Sequence, residues 1–212
     1  MTIFEDDRDY RRFIMLVGDV MQEYQINCWN YCLMPNHYHL TLQPTLPNLS
    51  SALACLNGEY ALWWNRRHRR CGHVFQGRFK AQIVQREGYL LALCRYVARN
   101  PVRANLVERA EEWRWSSYAA TIGLRTPPAF LDTALTLRQF GTGPDTELQE
   151  RFRKYVAIEC DESLEDHMRS NESVVGERSF RLAVEETPED WHAADSALVS
   201  AGAAPGPGLT SG

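Results

Sequence analysis

This sequence has no apolar stretch approaching the roughly 18–20 uncharged residues that a membrane span requires. Its N-terminus, MTIFEDDRDYRRF, is acidic and then basic, without the apolar centre of a signal peptide. A soluble, cytoplasmic protein is expected, with no membrane partner. The six cysteines (28, 32, 55, 71, 94 and 160) show neither paired CxxC zinc spacing nor a compact disulfide framework. They read as core thiols in a reducing compartment, and Cys28 and Cys32, four apart in one expected strand, should share a face. No internal repeat is present. Acid is scarce in the middle of the chain: between Arg66 and Arg103 ten basic residues stand against Glu87 alone. From Gly141 onward fifteen acids outnumber six bases, so the formal net charge of −4 conceals a basic centre beside an acidic tail. Such asymmetry is compatible with a polyanionic partner, although a charge run is usually a solvated face.

With 212 residues, 44% of them apolar, the chain can build one core and a small appendage. Tyr10, Phe13, Ile14, Val17, Val20 and Met21 recur at helical spacing within residues 4–24. Residues 26–34 read as a strand, Pro35-Asn36 as a turn, and His37 to Gln43 as a second strand. In that strand His37, His39, Thr41 and Gln43 should face one way, and Tyr38, Leu40 and Leu42 the other. A helix over 48–68 carries Leu49, Leu53, Leu56, Tyr60 and Trp64 on its apolar stripe. A strand at 79–85 and a helix at 87–100 follow, the latter expected to end before Pro101 because a residue preceding proline avoids helical geometry. Trp113, Trp115 and Tyr118 should pack on the core. The order helix–strand–strand–helix–strand–helix predicts an α+β fold, an antiparallel sheet with helices packed against it. Three regions are expected: a domain over 1–125, a linker and small helical extension over 126–184, and a disordered tail over 185–212, rich near its end in Ala, Gly, Pro and Ser.

Two features carry chemistry. His37 and His39, two apart in a strand, share a face with their bases roughly 6.5–7 Å apart, close enough to chelate one metal ion. On strand surfaces such pairs are also common without any metal. Tyr96 and Asn100 stack one helical turn apart, beside a second row of Arg95 and Arg99. A phenol with an ordinary pKa near 10 is a poor nucleophile unless a metal or base offsets the cost of its anion. An amide oxygen one turn away would complete a metal site, and the arginines would hold a phosphate. The plainer readings are a rim tyrosine and a helix-terminating asparagine.

Taken together, these segments resemble a known family. YCLMPNHYHLTLQP (31–44) resembles the His-hydrophobic-His motif of single-tyrosine HUH transposases, and RYVARNPVRANLV (95–107) resembles the helix bearing their nucleophile. LNGEYALWWNRRH (56–68), GHVFQGRFKAQIV (72–84) and WRWSSY (113–118) are similar to the branch of tyrosine transposases associated with repeated extragenic palindromes. The resemblance spans about residues 2–122 and extends more weakly to 152–156 and 174–180. It implies a ferredoxin-like nuclease core, His37 and His39 as Mg²⁺ or Mn²⁺ ligands, Asn100 as a third ligand and Tyr96 as nucleophile. It also implies a transposase that cleaves and rejoins single-stranded DNA hairpins through a 5′-phosphotyrosine, acting as monomer or homodimer. Imidazole chemistry alone would favour zinc or manganese. Arg66, Arg67, Arg69, Arg70, Arg78, Lys80, Arg95 and Arg99 are the expected DNA-backbone contacts, and Trp63, Phe75 and Phe79 are candidates for base stacking, with burial in the core as the competing account.

Family members begin with a strand of the Tyr-His-Val-Thr type before the acidic helix, whereas IFEDDRDYRRF follows Met1-Thr2 directly here. The domain is therefore expected to lack its first strand. That keeps open a non-catalytic hairpin-binding remnant as the alternative function. A two-histidine phosphoesterase, prompted by His39-Leu40-Thr41, lacks the second such motif that its acid–base chemistry needs. A zinc-stabilised structural protein lacks the cysteine spacing.

Overall fold

The computed structural model describes residues 1–77, 79–158, 174–175 and 196–202. Along the chain run α1 (Asp7–Glu23), β1 (Ile26–Met34), β2 (His37–Pro44), α2 (Leu49–His68), β3 (Lys80–Val84), α3 (Arg86–Arg103), α4 (Tyr118–Thr121), α5 (Thr133–Leu137), α6 (Asp145–Ala157), β4 (Val174–Val175) and β5 (Ser196–Gly202). The α+β class and the order of the first six elements agree with the pattern in the sequence.

Helix α1 starts at a reciprocal cap. Asp6 accepts from the amides of Arg8 and Asp9, while the Asp9 carboxylate accepts from the amides of Glu5 (2.7 Å) and Asp6 (3.4 Å). Its apolar stripe meets that of α2 over the inner face of the β1–β2 hairpin, where Tyr38, Leu40 and Leu42 are fully buried. Ile14, placed on this stripe by spacing, is only half-buried at its edge. The opposite face of the sheet is covered as well. Leu93, Tyr96 and Val97 of α3 pack with Cys32, Met34 and Val84. A further cluster joins Leu90, Cys94 and Ala98 of α3 to Trp29, Tyr118, Leu137 and three residues of α6. Leu137 of α5 and three residues of α6 thus share a core with α3.

A bulge in β1 corrects one expectation. Cys28 pairs with Leu42 and Asn30 with Thr41, which leaves Trp29 as an extra residue. The extra residue inverts the alternation, so Cys28 joins the α1/α2 core and Cys32 the α3 core, on opposite faces. Beyond the bulge the register is regular, with Cys32 opposite His39 and Met34 opposite His37. Along the outer edge of β1, Leu33 N–H donates to Trp115 O (2.9 Å), and Trp113 Nε1 donates to Leu33 O (3.0 Å). The aromatic segment thereby covers what would be an open sheet edge.

The tail is the larger correction. Residues 185–212 were expected to be disordered, yet Ser196–Gly202 form β5 in the middle of the sheet, whose order is β1-β2-β5-β3-β4. The strand runs antiparallel to both neighbours, pairing His37 with Gly202, His39 with Ser200, and Lys80 with Ser200 on the other side. Residues 185–195 and 203–212 lie outside the described set. The short alternation of Ala197, Leu198 and Val199 is too small a signal to stand out in a composition rich in Ala, Gly and Ser. What recruits it is the pair of unpaired ladders that β2 and β3 would otherwise present.

Deleting residues 196–212 should therefore unpair both neighbours at once. With each ladder hydrogen bond contributing about 1 kcal/mol, and about 2–4 °C per kcal/mol at this chain length, the melting temperature should fall by at least ~10 °C in a circular-dichroism melt. An unchanged melt would remove β5 from the sheet.

Candidate active site

Strand β2 and helix α3 bring the sequence-selected residues to one place. The His37 and His39 rings lie 4.9 Å apart, centroid to centroid, and near perpendicular, as two side chains of one strand face should. The Tyr96 ring packs edge-on against His39 at 5.7 Å. Asn100 stands one turn further along α3. Its Nδ2 donates to the Tyr96 carbonyl (2.9 Å), and its side chain also hydrogen-bonds with His39. Histidine pair, tyrosine and asparagine therefore form one continuous cluster.

Burial sets its electrostatics. His39 is 7% exposed, and loss of solvation, followed by the neighbouring His37 charge, pulls its pKa down to about 3; the Asn100 hydrogen bond opposes this. Desolvation also lowers His37. Both rings are consequently neutral near pH 7, the form in which imidazole is a metal ligand. His39 Nδ1 is buried and has no hydrogen-bond partner among the described residues, whereas His37 Nδ1 lies 2.8 Å from Asn36 Oδ1. A proton held on His37 Nδ1 by that asparagine leaves Nε2 as the free lone pair. An orphaned imidazole nitrogen, a second oriented imidazole and a nearby amide form a donor set that fits one divalent ion. Among the described residues no cluster of three or more His, Cys, Asp and Glu side chains does so.

Helix α3 does not end before Pro101; it continues to Arg103, with the Ala104 amide closing the last turn onto Asn100 O (3.0 Å). Proline so near a helix end forgoes one hydrogen bond, and here that leaves the helix intact. The extension carries Arg103 to within 5.1 Å of the Tyr96 ring centre, stacked over it. The spacing 96, 100, 103 was the available signal, and ending the helix at Asn100 hid it.

The expected DNA-backbone residues separate into groups. Arg95 is 9% exposed and lies over the Tyr155 ring (4.4 Å), while Arg99 donates to Val156 O at 3.0 Å, so α6 holds both. Arg67 pairs with Asp6 and with the fully buried Asp9. Arg70 reaches Glu5 at 3.4 Å and lies over the Trp64 ring. Arg66 and Lys80 are exposed, and Arg69, also exposed, takes the left-handed C-cap of α2. Arg78 lies outside the described residues. Of the stacking candidates, Phe75 is buried, and Trp63 and Phe79 are half-buried against the core. No helix among the described residues is long and apolar enough to cross a membrane.

Residues 1–100 match the family described as IS200-like transposase. A protein of Haemophilus influenzae carried under the provisional name REP-associated tyrosine transposase is 25% identical over 137 residues, covering 55% of this chain and 77% of that protein. No solved structure matches the chain.

Two outcomes follow from the electrostatics. The unfolded chain binds a proton at His39 near its ordinary value of 6.5, whereas the folded chain resists protonation down to about 3. Stability from this group is therefore complete above pH 6.5 and falls as the pH drops toward 3. His39→Gln should flatten the melting temperature against pH over that window in metal-free buffer, and an unchanged slope would contradict the neutral assignment. On the opposite face, Arg67→Ala leaves the buried Asp9 carboxylate with only His68 and backbone amides. Urea unfolding should register a loss on the order of 2–3 kcal/mol, at or below the usual penalty for breaking a buried ion pair.

Proposed function

We propose that this chain, whose residues 1–100 match the IS200-like transposase family, is a DNA strand transferase that cuts and rejoins folded single-stranded DNA, with Tyr96 as nucleophile. The observation that carries this reading is the packing of Tyr96 against His39, within a cluster that also contains His37 and Asn100. His37, His39 and Asn100 would hold Mg²⁺ or Mn²⁺. When bound, the ion supplies Lewis-acid charge at a non-bridging oxygen of the DNA phosphate.

The chain's own groups do the rest. Packing against His39 and the last turns of α3 fixes the Tyr96 ring, so its hydroxyl is presented without a search of rotamers. Attack of Tyr96 Oη on phosphorus forms a P–O bond and breaks the bond to the 3′ oxygen. The phenol gives up its proton as this bond forms, the leaving 3′ oxygen takes one up to become a hydroxyl, and the 5′ phosphate stays on the tyrosine. Phosphodiester energy is retained in that link, so a second 3′-hydroxyl can attack and rejoin the strand without ATP. A hairpin substrate is supported by likeness to the palindrome-associated branch. Exposed Arg66, Arg69 and Lys80 supply positive charge for tracking the backbone.

Incubation with a single-stranded hairpin oligonucleotide and Mn²⁺, resolved on a denaturing gel, is the test. The wild type should give a covalent protein–DNA species with a matching free 3′-OH fragment, and Tyr96→Phe should give neither. An adduct that survives Tyr96→Phe would reject the nucleophile. Retained hairpin binding with no adduct in the wild type would favour a non-catalytic binding protein.

A further inference from the structure

We propose that the cleft beside His37 is a base-binding subsite, which seats one unpaired nucleobase flanking the phosphodiester that Tyr96 attacks. This rests on the strand-transfer reading above and adds to it the part of the substrate read next to the cut. The cleft holds about 620 Å³, and its walls come from the start of the chain, the β1–β2 turn and the residues that follow α3. That volume lies within the roughly 300–1,000 Å³ of sites for small organic ligands.

Backbone bonding fixes each wall. Pro35 O accepts from the amides of Ile3 (2.9 Å) and Phe4 (3.2 Å), which ties the start of the chain to the β1–β2 turn. Helix α3 finishes in a left-handed cap: Asn105 has a φ of 53°, its amide donates to Val102 O (2.9 Å), and the Leu106 amide donates to Pro101 O (2.9 Å). Asparagine is among the few residues besides glycine that visit this conformation routinely. The cap turns the chain at the helix end and sets Leu106, 42% exposed, in the cleft wall. Met1, 41% exposed, lines the same cleft. One exposed apolar side chain means little, whereas two sharing a concavity are what a flat apolar ligand covers.

Continuity with the candidate site selects a base as that ligand. Tyr96, Asn100 and Ala104 follow at intervals of four along α3 and its cap, so one helical row runs from the nucleophile to the cleft wall. His37 belongs both to the histidine cluster and to the cleft lining. A phosphodiester held at that cluster therefore brings its neighbouring sugar and base to the cleft. The lining carries no Lys, Arg, Asp or Glu side chain, and Met34, Pro35 and Leu106 suit the face of a base better than a phosphate. Asn36, exposed in the β1–β2 turn, supplies the polar edge. With its Oδ1 facing His37 Nδ1 at 2.8 Å, its Nδ2 is turned to donate to a ring nitrogen or carbonyl of the base.

The test uses the full chain and single-stranded hairpin oligonucleotides with Mn²⁺. Wild-type cleavage first locates the cut, and the nucleotide on each side of it is then replaced in turn by an abasic one. Affinity is measured in a Tyr96→Phe background. At one of the two positions abasic DNA should bind about tenfold more weakly. Leu106→Ala and the cleft-filling Ala104→Leu should each weaken intact DNA about threefold or more, and leave that abasic DNA at its already reduced affinity. Both positions are exposed, so circular dichroism of the variants should match the wild type. An equal loss on intact and abasic DNA would overturn the proposal, because the side chains would then act without the base. Full affinity at both abasic positions would overturn it too. Altered sedimentation of Ala104→Leu with unchanged DNA affinity would assign the cleft to a second copy of the chain instead. Absence of any wild-type adduct would reject the strand-transfer reading, and this proposal with it. A wild-type adduct with cleft variants that bind normally rejects the subsite alone.

Discussion

The contact of α3 with the histidine strand is the constraint on which the rest of the molecule depends. Leu93, Tyr96 and Val97 seal the outer face of β2 against Cys32, Met34 and Val84, and His39 is enclosed with them. A histidine in such a place would ordinarily be a defect, because burial opposes its charge and its nitrogens need partners. Here burial keeps the ring neutral, Asn100 satisfies it in part, and Nδ1 is left without a partner among the described residues. The same packing presses the Tyr96 ring against that imidazole. One hydrophobic contact thus aligns the proposed nucleophile and prepares the proposed ligand.

Both faces of the sheet must be covered for this to hold, and the two layers are secured by different means. Over the inner face, acidic residues at the start of α1 meet basic residues at the end of α2. Asp9, fully buried, receives Arg67 and His68, while Glu5 receives His68 and Arg70. Each sign lies at the helix end whose dipole favours it. Over the outer face, α6 holds α3 by stacking on Arg95 and accepting from Arg99. Much of the basic charge between residues 66 and 103 is therefore structural, binding helices together, and only part of it remains available to a polyanion.

The histidine pair was legible because β2 alternates without interruption, and α1 and α2 because their apolar stripes are long and regular. The relation of Tyr96 to the histidines was legible through family likeness, not spacing, since nothing in a sequence reports that α3 crosses β2. The bulge at Trp29 left no mark in composition, so the expectation that Cys28 and Cys32 share a face failed there. Proline at 101 is a strong local stop, but its cost near a helix end is one hydrogen bond, and packing of Val97 and Tyr96 outweighs it. Partners such as Asp9 and Arg67 lie 58 positions apart, beyond any local rule that assigns charges to a solvated surface or to DNA. Strand β5 depends on two ladders elsewhere in the chain, which its own residues cannot reveal.

The central claim is that His37, His39 and Asn100 form one divalent-metal site beside Tyr96. Titration of the metal-free protein with Mn²⁺, followed by electron paramagnetic resonance of the free ion, measures this directly. One ion should be taken up per chain by the wild type and by Tyr96→Phe, and none by the paired His37→Ala, His39→Ala variant with its circular dichroism unchanged. Uptake that is indifferent to loss of both histidines would contradict the account.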